Sequence, residues 1–190
     1  MDKVSIIVRT CGRPEVLRGA LESIRKQTYP DVETVVIEDG LEISRQMICT
    51  EYSDLQLRYI STGKRVGRAK AGNLGMKVAQ GKYLNFLDDD DVLYPEHIEI
   101  LLQTLQSAEE KAVYSVAEEA AAIYRKRKRT FYDVRKKVRF REPFNRMYLL
   151  HTNYLPIQSV MFEKSLFEQY GGFRENVDYL EDWDLWVRYA

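Results

Sequence analysis

The chain has 190 residues, enough for one domain with a sizeable core, and its 45% apolar and 31% charged residues are the balance of a soluble globular protein. Its 29 basic and 29 acidic residues cancel, so whole-chain charge draws it to no polyanion and nucleic acid is not an expected partner. The only cysteines, Cys11 and Cys49, make no disulfide framework, no stretch reaches the roughly 20 apolar residues of a membrane span, and "MDKVSIIVRTCGRPE" meets Arg9 and Arg13 too early for a signal peptide, so a cytoplasmic protein is expected.

"VSIIVRT" over 4–10 is a short β-branched run bounded by "CGRP", which predicts a buried strand. Pro14 suits the first turn of a helix, and Val16, Leu17, Ala20, Leu21 and Ile24 follow at helical spacing. "QTYPDVE" breaks that helix, and "VETVVIEDG" over 32–40 is a second strand. Residues 41–52 are a candidate helix, and "LQLRYIST" over 55–62 alternates as a strand does. Residues 67–81, "GRAKAGNLGMKVAQG", carry Ala71, Leu74, Val78 and Ala79 on one helical face. "KYLNFLD" is the next strand, and Pro95 opens a helix with Ile98, Leu101, Leu102 and Leu105. Four alternations of strand and helix predict an α/β fold, a mostly parallel sheet flanked by helices. Ligands bind such sheets beyond the carboxyl ends of the strands. Thr10 to Arg13, Asp39 and Asp88 to Asp91 all fall there, which predicts one site.

The second half is less regular. Residues 112–142 mix candidate strands with the dense basic run "YRKRKRTFYDVRKKVRFRE". "QSVMFEK" over 158–164 reads as a strand, "SLFEQYGGF" as a short helix with a glycine stop, and "EDWDLWVRYA" as a last helix. That helix reaches Ala190 without a cap, so a chain truncated at its C-terminus is one expectation. One domain is expected over 1–190, with a nucleotide-binding half near 1–110 and an acceptor-side half near 111–190.

"YLNFLDDDDVLYPE" is the most informative stretch. An apolar strand runs into four carboxylates, Asp88, Asp89, Asp90 and Asp91. Two unit charges ~4 Å apart repel by roughly 4 kcal/mol at an effective dielectric near 20. One or two aspartates would serve the start of the next helix; four exceed that role. A hard divalent cation resolves the repulsion, because Mg²⁺ or Mn²⁺ takes oxygen ligands and shares them with substrate phosphates.

Several motifs then line up in order. "VSIIVRTCGRPEVLRGALESIRKQTYP", "ETVVIEDG", "GRAKAGNLGMKVAQGKYLNFLDDDDVLYPEHIE" and "GGFRENVDYLEDWDLWVRYA" together resemble the family-two glycosyltransferases over nearly the whole chain. The resemblance implies a GT-A fold, a Rossmann-like sheet that binds a nucleoside-diphosphate sugar with a divalent metal, Mn²⁺ or Mg²⁺, and transfers the sugar with inversion. By the same resemblance Thr10 and Arg13 touch the nucleotide, Asp39 bonds the base, and Arg68 and Asn73 lie near the nucleotide sugar. Asp88 and Asp90 occupy the ends of an Asp-x-Asp motif, Asp90 being the better metal candidate and Asp88 the second, while Asp89 faces the ribose. In "LEDWDLWVR" Asp182 matches the general base and Glu181 is the second choice. The implied donor is a UDP-sugar and the implied acceptor a glycan or lipid-linked hydroxyl. The family's further metal-binding histidine would fall beyond Ala190.

A carboxylate that takes a proton from a sugar hydroxyl during attack is an ordinary solution to a poor nucleophile. Two carboxylates also suit a glycosidase, against which the strand-end site and the metal cluster argue. A sugar nucleotidyltransferase would need a glycine-rich phosphate loop, and "RTCGRPE" has one glycine. A non-catalytic sugar-nucleotide or glycan-binding module is the alternative outside the enzymes. Core packing is the plain reading of Trp183 and Trp186, and a sugar platform the other. His97 is expected on the surface, and His151 reads as structural or near the acceptor. The basic stretch 125–141 is either a solvated hairpin or a peripheral contact with an anionic acceptor or the inner face of a membrane.

Overall fold

In this computed structural model residues 1–125, 130–177 and 179–190 are described. The first half alternates as its periodicity requires: β1 Val4–Thr10, α1 Pro14–Arg25, β2 Val32–Glu38, α2 Arg45–Glu51, β3 Leu57–Ser61, α3 Arg68–Val78, β4 Tyr83–Asp88 and α4 His97–Gln106. The second half supplies β5 Ala112–Tyr114, β6 Ala117–Arg125, β7 Thr130–Phe140, α5 Arg146–Leu149, a 3₁₀ turn Ile157–Ser159, β8 Val160–Glu163, α6 Lys164–Tyr170 and α7 Glu181–Tyr189. Six strands form one sheet in the order β3-β2-β1-β4-β8-β5. The pairs β3–β2, β2–β1 and β1–β4 are parallel, whereas β8 runs antiparallel to both β4 and β5. The mostly parallel α/β sheet expected from the sequence is therefore present. No helix among the described residues is long and apolar enough to cross a membrane.

The sheet is covered on both faces, so its central strands are continuous apolar runs; β1 is buried along its whole length. Strand alternation divides the core in two. Val4, Ile6 and Val8 pack with Leu17, Leu21 and Ile24 of α1 and Ile98, Leu101 and Leu105 of α4. Ile7, Leu84 and Phe86 turn the other way, to α3, Phe162 and Leu185 and Trp186 of α7.

Helix α3 buries Ala69, Ala71, Gly72, Gly75 and Met76, a face of small residues. The expected face holds for Ala71 and Ala79, while Leu74 and Val78 are only partly buried. Close approach explains the difference: a Cβ on Gly75 would lie 2.4 Å from Cγ2 of Ile7. The expected glycine stop of α6 is Gly171, at φ 75°.

The basic stretch forms a hairpin, β6 antiparallel to β7, with register shifts at Ala117/Glu118 and Ala121/Ala122. Lys126, Arg127, Lys128 and Arg129 lie outside the described residues. Arg139 pairs with Glu119, and the Lys136 ammonium lies 5.8 Å from the Tyr94 ring centre.

His97 does not sit on the surface as expected. Its Nε2 is buried without a hydrogen-bond partner. Burial lowers its pKa to about 4, against a backbone group of Gln158 that favours the charged ring. The ring borders a cleft of about 400 Å³ between α1, the 92–97 segment and the hairpin. Pro95 anchors that segment to the end of α1, where its carbonyl accepts from the Thr28 N–H at 2.9 Å, and this draws His97 inward. Cys11 and Cys49 are free thiols.

Candidate active site

The strand ends bring three of the predicted segments together at one edge of the sheet. Thr10 closes β1, the 38–40 turn closes β2, and the aspartate run leaves β4. The alternation of β4 deals the aspartates to different faces. Asp88 follows Phe86 toward α7, and Asp89 points to the α1 side.

On the α1 side Asp89 is wholly buried. It accepts from Thr10 Oγ1 at 2.6 Å and from Arg13 Nε at 3.1 Å, and pairs with Arg13 Nη2 as well. Burial pushes its carboxyl above the ordinary value, while Thr10 and Arg13 pull it back. Asp90 is different. Its side chain is 56% exposed, and its contact with Arg13 Nη1 is 3.4 Å long. Asp91 lies partly buried behind them, and burial together with Asp88, Asp90 and Asp89 raises its pKa to about 7.

On the α7 side Asp88 meets Arg9, a residue the sequence reading passed over. Arg9 Nε donates to Asp88 Oδ1 at 2.9 Å, and Nη2 lies 2.8 Å from Oδ1 and 3.1 Å from Oδ2. Arg9 Nη1 donates to Glu181 Oε1 at 2.9 Å. The second Glu181 oxygen is 3.3 Å from Arg68 Nη2. Arg9 is 5% exposed, and Phe86 and Phe173 lie against its guanidinium. Burial opposes the charge on Arg9, yet Asp88 and Glu181 hold its pKa above the usual value. An arginine in the odd-numbered, inward register of an apolar strand is a signal that the sequence does carry.

Asp182, one position along α7, has no such cation. It accepts from Asn153 Nδ2 at 3.1 Å and from the Trp183 N–H at 2.8 Å. Burial raises its pKa above the ordinary value, the hydrogen bonds from the Trp183 N–H and Asn153 oppose it, and Glu181 adds a smaller push upward. The two members of the Glu-Asp pair thus differ in kind: Glu181 is paired with two arginines, and Asp182 with neutral donors alone. Asn153 is the second residue missed, and nothing in "LLHTNYLP" announces it.

Two other expected ligand contacts are engaged in scaffolding. Asp39 accepts from the N–H groups of Val66 at 2.6 Å and Gly67 at 3.0 Å, which shapes the entry to α3. Asn73 accepts from the Phe173 N–H at 2.8 Å and donates to the Phe173 carbonyl at 2.9 Å, tying α3 to the loop before α7. The neighbouring Glu38, also passed over, is fully buried. It gathers the Gly12 N–H, the Ser44 N–H and hydroxyl, and the Tyr59 hydroxyl, so it braces the β1 and β2 turns. Trp186 is core, and its Nε1 donates to the Leu155 carbonyl at 3.1 Å; Trp183 is partly buried with its Nε1 on the Leu149 carbonyl. His151 is exposed.

Comparison with known proteins gives the family and the fold. The model of the family described as Glycosyl transferase family 2 matches residues 5–171. The Bacillus subtilis (strain 168) protein named uncharacterized glycosyltransferase YwdF is 31% identical over 189 residues, 99% of this chain and 68% of that protein. Uncharacterized glycosyltransferase RP339 of Rickettsia prowazekii (strain Madrid E) is 29% identical over 194 residues, covering 98% of this chain and 58% of its own length. Among solved structures, S. aureus TarS 1-349 superposes with a TM-score of 0.74 at 20% identity, over 98% of this chain and 55% of that one. Mannosyltransferase PcManGT from Pyrobaculum calidifontis, in complex with GDP-Man and Mn²⁺, superposes with a TM-score of 0.72 at 19% identity, over 100% of this chain and 52% of that one. At those identities the structural likeness carries the fold, the GT-A fold.

Proposed function

The chain belongs to glycosyl transferase family 2, and from that premise we propose that it transfers a sugar from a nucleoside-diphosphate sugar, a UDP-sugar, to a hydroxyl of a glycan or lipid-linked acceptor, with inversion and with a divalent cation. The observation that carries this reading is the division of the carboxylates: Asp88, Asp89 and Glu181 are buried or part-buried in close arginine pairs, whereas Asp90 is exposed with one long 3.4 Å contact to Arg13, and Asp182 is hydrogen-bonded by neutral groups. Residues near 1–110 would form the donor half and residues near 111–190 the acceptor half. The chain spans about two thirds of its Bacillus relative and just over half of its Rickettsia relative and of the solved chains, so the activity of the whole protein is part of the proposal.

The residues fit a hard cation only in a limited way. Among the described residues no three His, Cys, Asp or Glu side chains are grouped to hold a metal, so an all-protein cage does not fit. Mg²⁺ or Mn²⁺ commonly needs only one or two carboxylates, the rest of its shell being water and substrate phosphate. Asp90 meets that need, with Asp88 second because Arg9 already holds it. When bound, such an ion would supply positive charge beside the leaving diphosphate. In the proposed site Thr10 and Arg13 border the nucleotide with Asp89 toward the ribose, and Arg68 lies near the nucleotide sugar. Asp39 retains lone pairs for a base N–H, since each carboxylate oxygen has two. Asn73 acts by holding the 173–175 loop.

Chemistry then falls to Asp182. The acceptor hydroxyl attacks the anomeric carbon from the face opposite the diphosphate, and the bond to the diphosphate oxygen breaks. Asp182 takes the hydroxyl proton, and no covalent sugar–enzyme intermediate forms. A raised pKa brings this carboxylate nearer the operating pH, which favours a general base. The two solved relatives that carry nucleotide sugars, TarS 1-349 with UDP-GlcNAc and PcManGT with GDP-Man, support the donor class. We place the reaction in the cytoplasm, at the inner membrane face for a lipid-linked acceptor.

The test is calorimetry with UDP and GDP in Mn²⁺ and in chelator, followed by turnover on a nucleotide-sugar panel. Affinity should fall in chelator. Asp90→Ala should abolish that dependence and lower transfer at least about 10²-fold, with apo stability held or raised as one of four crowded carboxylates goes. Equal affinity in chelator removes the cation from the reading, and a large loss of apo stability makes Asp90 a structural residue.

A further inference from the structure

Arg9 lies in β1, and α7 begins 172 residues later, yet one guanidinium joins them. Asp88, two positions before Asp90, takes its Nε–Nη2 fork, and Glu181, one position before Asp182, takes Nη1. Both side chains of the Arg9–Glu181 pair are nearly dry, at 5% and 3% exposure. Register explains the meeting: Arg9 is the Cα partner of Asp88 in the β1–β4 ladder, and its odd position faces α7.

Helix α7 needs such an anchor. The chain enters it through Leu180 at φ 61°, ψ 30°, and the Leu180 side chain supplies no cap. A left-handed non-glycine residue persists only where surrounding contacts over-determine it. Asp88 and Glu181 cannot face each other across a dry gap without a cation between them. A planar guanidinium presents donors in two directions at once, which a lysine ammonium does not match.

We propose that Arg9 is a positioning residue: through Asp88 and Glu181 it fixes the carboxylate run after β4 to the first turn of α7, and so sets Asp90 and Asp182 relative to each other. The inference rests on the reading of Asp90 and Asp182 given above, and it predicts coupling between two segments far apart in sequence.

Two measurements test it. In amide hydrogen exchange, Arg9→Lys should speed exchange of residues 88–91 and 181–184 together, by about tenfold or more. Asp88→Ala alone should speed exchange at 181–184, which it reaches through Arg9. In turnover, Arg9→Lys should lower kcat about 10²-fold, as misplacement of reacting groups by about 1 Å does, with donor KM changed less than about threefold. Asp88→Ala and Glu181→Gln should be non-additive in kcat. Unchanged exchange at 181–184 in Asp88→Ala, or normal kcat in folded Arg9→Lys, overturns the proposal. If the wild-type chain turns over no nucleotide sugar, the functional reading fails on its own account, and the exchange experiment still decides the Arg9 bridge.

Discussion

At the scale of single residues, two adjacent carboxylates at the start of α7 have opposite environments, and mutation should separate them. Asp182→Asn keeps shape and removes the proton acceptor, so turnover should fall about 10²- to 10⁴-fold with donor affinity intact. Its pKa lies above the ordinary value because of burial. Such a group contributes stability in its protonated form, which is lost as pH rises through the folded pKa. Asp182→Asn should therefore hold or gain melting temperature at neutral pH. The rate should fall on the acid side, where Asp182 takes up its proton. Glu181→Gln leaves Arg9 and Arg68 short of a charge and should lower stability, since breaking a buried pair costs about 3–5 kcal/mol when a partner is removed outright and less when an amide remains. Thermal melts and a pH–rate profile of both variants check this. An inactive but stable Glu181→Gln beside an active Asp182→Asn would reverse the two roles.

At the scale of elements, α3 and α4 pack by different means. Helix α3 lies close to β1 because Gly75 has no side chain there. Gly75→Ala forces a shift against Ile7, with a cost of about 1–3 kcal/mol for overpacking, and each kcal/mol is worth roughly 2–4 °C in a domain of this size. A melt that does not fall would show that α3 can withdraw freely. Helix α4 begins with His97, whose Nε2 is buried. Its folded pKa of about 4 lies below the unfolded value, so the stability it contributes is present above pH 6.5 and lost as pH falls. By pH 5 the loss is about 2 kcal/mol, at about 1.4 kcal/mol per pH unit. Denaturant melts of wild type and His97→Phe at pH 7 and pH 5 should show the variant losing less. Equal losses would place the acid sensitivity elsewhere.

At the scale of the whole molecule, zero formal charge hides a local excess, because the stretch 125–141 is far from neutral. Anionic vesicles at low salt, where screening is weakest, should bind the chain through 125–141. Lys136→Glu with Lys137→Glu should weaken that binding severalfold, at about 1 kcal/mol per basic residue near the surface, and leave UDP affinity unchanged. Unaltered vesicle binding would return the hairpin to a solvated role. What the sequence determined by itself was the layered α/β order and the edge where the predicted segments converge, because apolar periodicity is local and strand ends follow from it. It also determined the family, through motifs in their proper order. Tertiary structure decided which carboxylates remain available. Asp88 and Glu181 are closed by Arg9 and Asp89 by Thr10 and Arg13, while Asp90 keeps only a long contact with Arg13 and Asp182 meets neutral donors. Ion pairing across 79 and 172 residues depends on strand register and on how α7 docks, and no local pattern encodes either.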